Sequence, residues 1–87
     1  MNQRTWYDIS KVLIGTSTII CANVDAALAD GIEDAIKKAK ERNGWRPWEE
    51  FGACRARGAV GLNQSIARHK RRSNQIEDLK EQMEANV

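Results

Sequence analysis

Trp6, Ile9 and Leu13 recur at three- and four-residue spacing, which predicts an amphipathic helix over about 6–14. Thr5-Trp-Tyr-Asp8 fits a capping box ahead of it. The next residues give mixed signals. Thr16, Thr18, Ile19 and Ile20 are β-branched and favour a strand. Thr16 and Ile20 also continue the helical face of Trp6, Ile9 and Leu13, and no partner strand stands out elsewhere. The segment is therefore read as helix after a kink, with a strand over 16–22 as the alternative. Val24, Leu28, Ile32, Ala35, Ile36 and Ala39 form a second stripe, so one helix is expected over about 18–43. Acids gather early in it (Asp25, Asp30, Glu33, Asp34) and bases late (Lys37, Lys38, Lys40, Arg42), which complements the helix dipole. Asn43-Gly44 supplies the stop.

Pro47 suits the first turn of a third helix, expected over 47–72, with Trp48, Phe51, Ala59, Leu62 and Ile66 on its apolar face. Beside that face runs a ridge of small residues, Cys54, Gly58, Gly61 and Ser65. Each glycine inside a helix costs about 1 kcal/mol against alanine, so the ridge is expected to admit a second helix at close range. A break at Gly58–Gly61 is the competing reading. Asn74-Gln-Ile-Glu77 resembles another capping box, and a last helix is expected over 75–85. An unbroken helix from Pro47 to Ala85 would be roughly 58 Å long and would need a partner. Leu62, Ile66, His69, Ser73, Ile76, Met83 and Val87 keep a 3.5-residue rhythm, and Leu79 lies beside it. Leu62, Ile66, Ile76, Leu79 and Met83 thus join the ridge as candidate helix–helix or dimer contacts. The expected fold is all-α: one domain over 1–87, a small antiparallel bundle of three to four helices with a long C-terminal helix, completed by dimerisation.

Size and composition sharpen this picture. Eighty-seven residues make one domain at most, with a thin stability margin that a homodimer would widen. The two cysteines, Cys21 and Cys54, have small or apolar neighbours and are read as buried, reduced thiols in a cytoplasmic protein. The apolar run from Val12 to Ala22 is too short and too polar to span a bilayer. Net charge is +2, all of it in the second half. Between Glu50 and Glu77 there is no acid, while Arg55, Arg57, Arg68, Lys70, Arg71 and Arg72 fall in that window. An acidic end follows: Glu77, Asp78, Glu81 and Glu84.

Catalytic chemistry finds little support in these residues. His69 is the single histidine, set among bases, with no orienting acid within helical reach and no metal-ligand spacing to the cysteines. No phosphate loop or nucleophile elbow is present. The expectation is a non-enzyme without metal or cofactor. Trp6, Trp45 and Trp48 are expected to meet in the core, unless one is an exposed anchor with Arg46 beside it. On a helix, Arg57, Arg68, Arg71 and Arg72 would form a band for phosphates or an acidic protein, with Asn63 able to hydrogen-bond. Asn63-Gln-Ser-Ile-Ala-Arg68-His-Lys-Arg71 is similar to the Asn-x-x-x-Ala-Arg-x-x-Arg core of basic leucine-zipper regions, which would imply DNA binding. Leu79 comes too soon after Arg71, no zipper of leucines follows, and Gly58 and Gly61 precede the motif, so the family is not adopted. Three functions stand. The first is a protein-binding module, an adaptor or inhibitor of a partner with an acidic surface, as in small phage or plasmid accessory proteins. The second is a dimeric nucleic-acid-binding protein using Arg55–Arg72. The third is a structural homo-oligomer.

Overall fold

The computed structural model describes residues 3–44 and 46–85; Trp45 and Val87 lie outside them. It overturns the all-α expectation. The chain runs β1 (Thr5–Leu13), β2 (Ile19–Ala29), α1 (Ile32–Asn43), β3 (Glu49–Arg55) and α2 (Gly58–Ala85). The three strands form an antiparallel sheet in the order β2-β1-β3. Both outer strands run antiparallel to β1 and so parallel to each other, and α1 makes the crossover that a parallel pair requires.

The expected helix over 6–14 is the central strand. Its apolar residues fit period two as well as period 3.6: Tyr7 and Ile9 share a face with Ala27, Ala53 and Phe51 across the ladder. The capping box at Thr5–Asp8 is part of the same strand. Segment 16–22 is not a kinked helix but a turn leading into β2. Thr16 N–H donates to Leu13 O at 3.1 Å, Leu13 N–H donates to Thr18 O at 2.9 Å, and Gly15 takes φ 75, where a side chain would be strained. Of the expected helix over 18–43, the part from Ile32 onward is helical. It stops at Asn43, with Gly44 at φ 77 donating its N–H to Lys40 O at 3.0 Å.

Pro47 does not start a helix. Its fixed φ equally suits the second position of a β-turn, and Glu49 N–H closes that turn on Arg46 O at 3.0 Å. Residues 49–55 then alternate, Phe51 inward and Cys54 outward, as β3. The expected separate helices over 47–72 and 75–85 become one helix from Gly58 to Ala85, unbroken at Asn74. Twenty-eight residues at 1.5 Å each give about 42 Å, which matches the long dimension of the molecule, 45 Å.

Ile9, Ala27, Ala29, Ala35, Ala39 and Phe51 make the core between the sheet and α1, with Tyr7, Val24, Ile36 and Ala53 against it. Four of its six buried members are alanine, which lets α1 lie close on the sheet. At the start of α1, Gly31 has no side chain to cap with. The carboxylate of Asp34 reaches back instead, accepting the Asp30 N–H at 3.0 Å and pairing with Lys38 at 3.2 Å. The Asp30 backbone hydrogen bond, then Lys38, hold its pKa below the usual carboxylate value. A depressed carboxylate stabilises the fold above its unfolded pKa and loses that contribution as pH falls through the folded value. An NMR titration is expected to place the Asp34 midpoint below that of an aspartate in an unfolded peptide, with Asp34→Asn less sensitive to acid in that window; a midpoint at or above the peptide's would contradict the back-reaching bond.

The small-residue ridge is not a helix–helix surface. Cys54 is on β3 and exposed, as is Cys21, so neither thiol is buried as expected. Gly58 takes φ 69 at the start of α2, a conformation that costs a side chain about 1 kcal/mol or more. Gly61 is ordinary helix, and an added Cβ would meet Ala56 C at 3.9 Å. Urea unfolding should therefore show opposite signs: Gly61→Ala stabilising by about 0.5–1 kcal/mol, Gly58→Ala destabilising. Loss of stability in both would restore the close-approach reading.

Candidate binding surfaces

α2 is attached to the sheet by polar contacts. Asp25 is the key residue: an acid in the otherwise apolar run Val24–Ala29, 1% exposed at the edge strand β2. A buried carboxylate must be paired. Its Oδ2 accepts from Arg42 Nε at 2.8 Å and Asn43 Nδ2 at 2.9 Å, and its Oδ1 accepts from the Ala26 N–H at 2.7 Å. Arg42 carries the network to α2 by donating to His69 O at 3.0 Å and Ser73 Oγ at 2.6 Å.

His69 does have an acid within reach, because the tertiary fold supplies what its own helix does not. Its Nδ1 lies 3.7 Å from Asp25 Oδ1 and 2.6 Å from Ala26 O. A carbonyl only accepts, so Nδ1 carries the proton. The ring meets Trp6 edge to face at 5.4 Å. On the sheet face opposite α1, Asp8 accepts from Ser65 Oγ at 2.6 Å and pairs with Arg68.

The candidate residues of the basic stretch are thereby dispersed. Arg55 is exposed on β3, Arg57 is exposed ahead of α2, and Asn63, Lys70 and Arg71 are exposed on α2. Arg68 turns inward to Asp8. Arg72 donates to Asn43 Oδ1 at 2.6 Å and Gln75 Oε1 at 3.2 Å. Arg68, Arg71 and Arg72 do share the walls of one cleft with β2. Of the packing candidates, Ser65 is fully buried, Ile66 and Ile76 are half-buried, and Leu62, Leu79 and Met83 are exposed. The bZIP-like residues thus lie on a helix whose Ser65 and Arg68 face the sheet, not a free groove-binding surface.

A different surface emerges where the β1–β2 turn meets the β3 entry. Leu13, Ile14, Ile19, Ile20 and Trp48 are each 40–57% exposed. Ile14 N–H donates to Trp48 O at 3.0 Å, which joins the turn to the β3 approach, and Val12 pairs with Ile19 across the ladder. The Arg46 guanidinium lies over the Trp48 ring, 5.6 Å from its centroid. Trp48 and Arg46 were legible as a candidate anchor; Leu13, Ile14, Ile19 and Ile20 were not singled out. Their signal was the unbroken apolar flanks on both sides of Gly-Thr-Ser-Thr, which leave apolar side chains on both faces of a hairpin end.

No family model, curated protein or solved structure matches this chain. Among the described residues, no helix is long and apolar enough to cross a membrane.

Proposed function

We propose that the chain is a non-enzymatic protein-binding module, an adaptor or inhibitor, that docks through its hairpin end. The observation that carries this reading is that Leu13, Ile14, Ile19, Ile20 and Trp48, all large, apolar and exposed, meet at one end of the sheet, where the Ile14 N–H bond to Trp48 O joins the two segments. Scattered apolar residues are normal on a surface, but a grouped set with a tryptophan and an arginine has the composition of a binding hot spot. The partner surface that suits it is an apolar pocket with a carboxylate at its rim for Arg46, in keeping with a partially acidic partner. Two free thiols exposed to solvent fit a reducing, cytoplasmic setting.

The nucleic-acid reading loses its main support, since Arg68 and Arg72 are engaged within the fold and Arg55 and Arg57 are not on the same helix face. Affinity capture from the native host, with nuclease present, tests the proposal. A protein held by the wild type and released by Trp48→Ala or Ile14→Asp supports it. Sedimentation of the purified chain distinguishes a second copy as the occupant: a dimer split by the same substitutions would make the patch a self-association surface.

A further inference from the structure

We infer that the cleft between β2 and α2 is a binding site for a single phosphate-type oxyanion. It is lined by Cys21 to Val24 on one side and by Arg68, Arg71, Arg72 and Gln75 on the other. Arg71, Arg72 and Gln75 stand three, four and seven positions after Arg68, so the four lie on adjoining rows of α2 that border the cleft. Among the described residues, no carboxylate lines the cleft.

The charges are unevenly satisfied. Arg68 is neutralised by Asp8. Arg72 is held by two amide oxygens, Asn43 Oδ1 and Gln75 Oε1, which orient the guanidinium and leave its charge uncompensated. Arg71 has no protein partner among the described residues. Gln75 uses its oxygen on Arg72, which leaves its NH₂ free to donate. The opposite wall is a bulge. Between the pairs Ile9–Asp25 and Lys11–Cys21, β2 advances by four residues while β1 advances by two. Asn23 absorbs this excess at φ 53, a left-handed conformation that asparagine tolerates better than most residues. Its N–H is tied to Ser10 Oγ at 3.1 Å.

Two guanidiniums without a carboxylate partner thus border one cleft together with the Gln75 amide, and the arginine fork is the group that grips phosphate. The cleft volume of about 270 Å³ lies at or below the low end for small-molecule pockets, which suits one phosphoryl group better than a whole nucleotide. This differs from a polyanion track, because Arg55, Arg57 and Lys70 lie outside the cleft that Arg71 and Arg72 border.

The test is an NMR titration of the ¹⁵N-labelled full chain with inorganic phosphate at constant ionic strength, using chloride as control. Saturable shifts are expected at Asn23, Gln75 and the Nε–H of Arg71 and Arg72. Arg71→Glu, at an exposed position, should keep the fold and weaken binding by roughly tenfold or more. Linear shifts, equal shifts with chloride, or saturation unchanged by Arg71→Glu would overturn the site. A phosphomonoester such as phosphoserine should compete with inorganic phosphate. A short single-stranded oligonucleotide that binds more tightly, with shifts extending to Arg55, Arg57 and Lys70, would overturn the single-oxyanion assignment in favour of a backbone track.

Discussion

Replacing Arg42 by alanine is expected to lower the free energy of unfolding by about 3 kcal/mol or more. The reason is the partner it leaves behind. Asp25 is 1% exposed, and without Arg42 its carboxylate keeps the hydrogen bonds of the Asn43 amide and the Ala26 N–H, with His69 Nδ1 more distant at 3.7 Å. Breaking a buried pair from one side costs about 3–5 kcal/mol, because the remaining charge stays desolvated. Native domains hold about 0.05–0.15 kcal/mol per residue, so this is a large share of the total for a chain of 87 residues. The same guanidinium also bonds Ser73 and the His69 carbonyl, so α2 should loosen along with the core. Chemical denaturation read by circular dichroism checks this. Arg71→Ala, with no partner to abandon, should stay within about 0.5 kcal/mol of wild type. Equal effects from the two substitutions would remove Asp25–Arg42 from its place at the centre of the fold.

Trp48→Ala is expected to weaken partner binding by about 2 kcal/mol or more, roughly 30-fold, with little change in folding. Trp48 is exposed, and its backbone carbonyl, not its ring, accepts the Ile14 N–H. Truncation therefore leaves the turn intact and removes the ring and its contact with Arg46, which is worth about 0.5–1 kcal/mol to the free protein at most. Calorimetric titration of the captured partner, beside thermal melts of both proteins, separates the two effects. A large fall in melting temperature would mean that Trp48 serves the fold and not the interface.

The α1 segment and its stop at Asn43-Gly44 were legible because its stripe, charge order and glycine stop all agree. The strands were not. In β1, Trp6, Ile9 and Leu13 satisfy a helical period while Tyr7 and Ile9 satisfy a strand period, and nothing local decides between them. The segment around Ile19 and Ile20 had strand propensity but no visible partner, because its partner was the stretch already read as helix. β3 was hidden by Pro47, whose φ serves a turn as well as a helix start. Gly58 carried a hint: its cost inside a helix raised the competing reading of a break at Gly58–Gly61, and it sits at a left-handed helix entry. At the candidate surfaces, Trp48 and Arg46 could be named from residue type alone. The inward turn of Arg68 and Arg72 could not, because Asp8 and Asn43 are distant in sequence and only the fold brings them near.

The docking claim is tested most directly by quantitative capture from nuclease-treated extract of the native host, comparing wild type, Trp48→Ala and Arg71→Ala at equal loading. The account predicts a protein retained in near-stoichiometric amount by wild type and by Arg71→Ala, and lost on Trp48→Ala. Equal retention on all three, or nucleic acid recovered in place of a protein when nuclease is omitted, would contradict it.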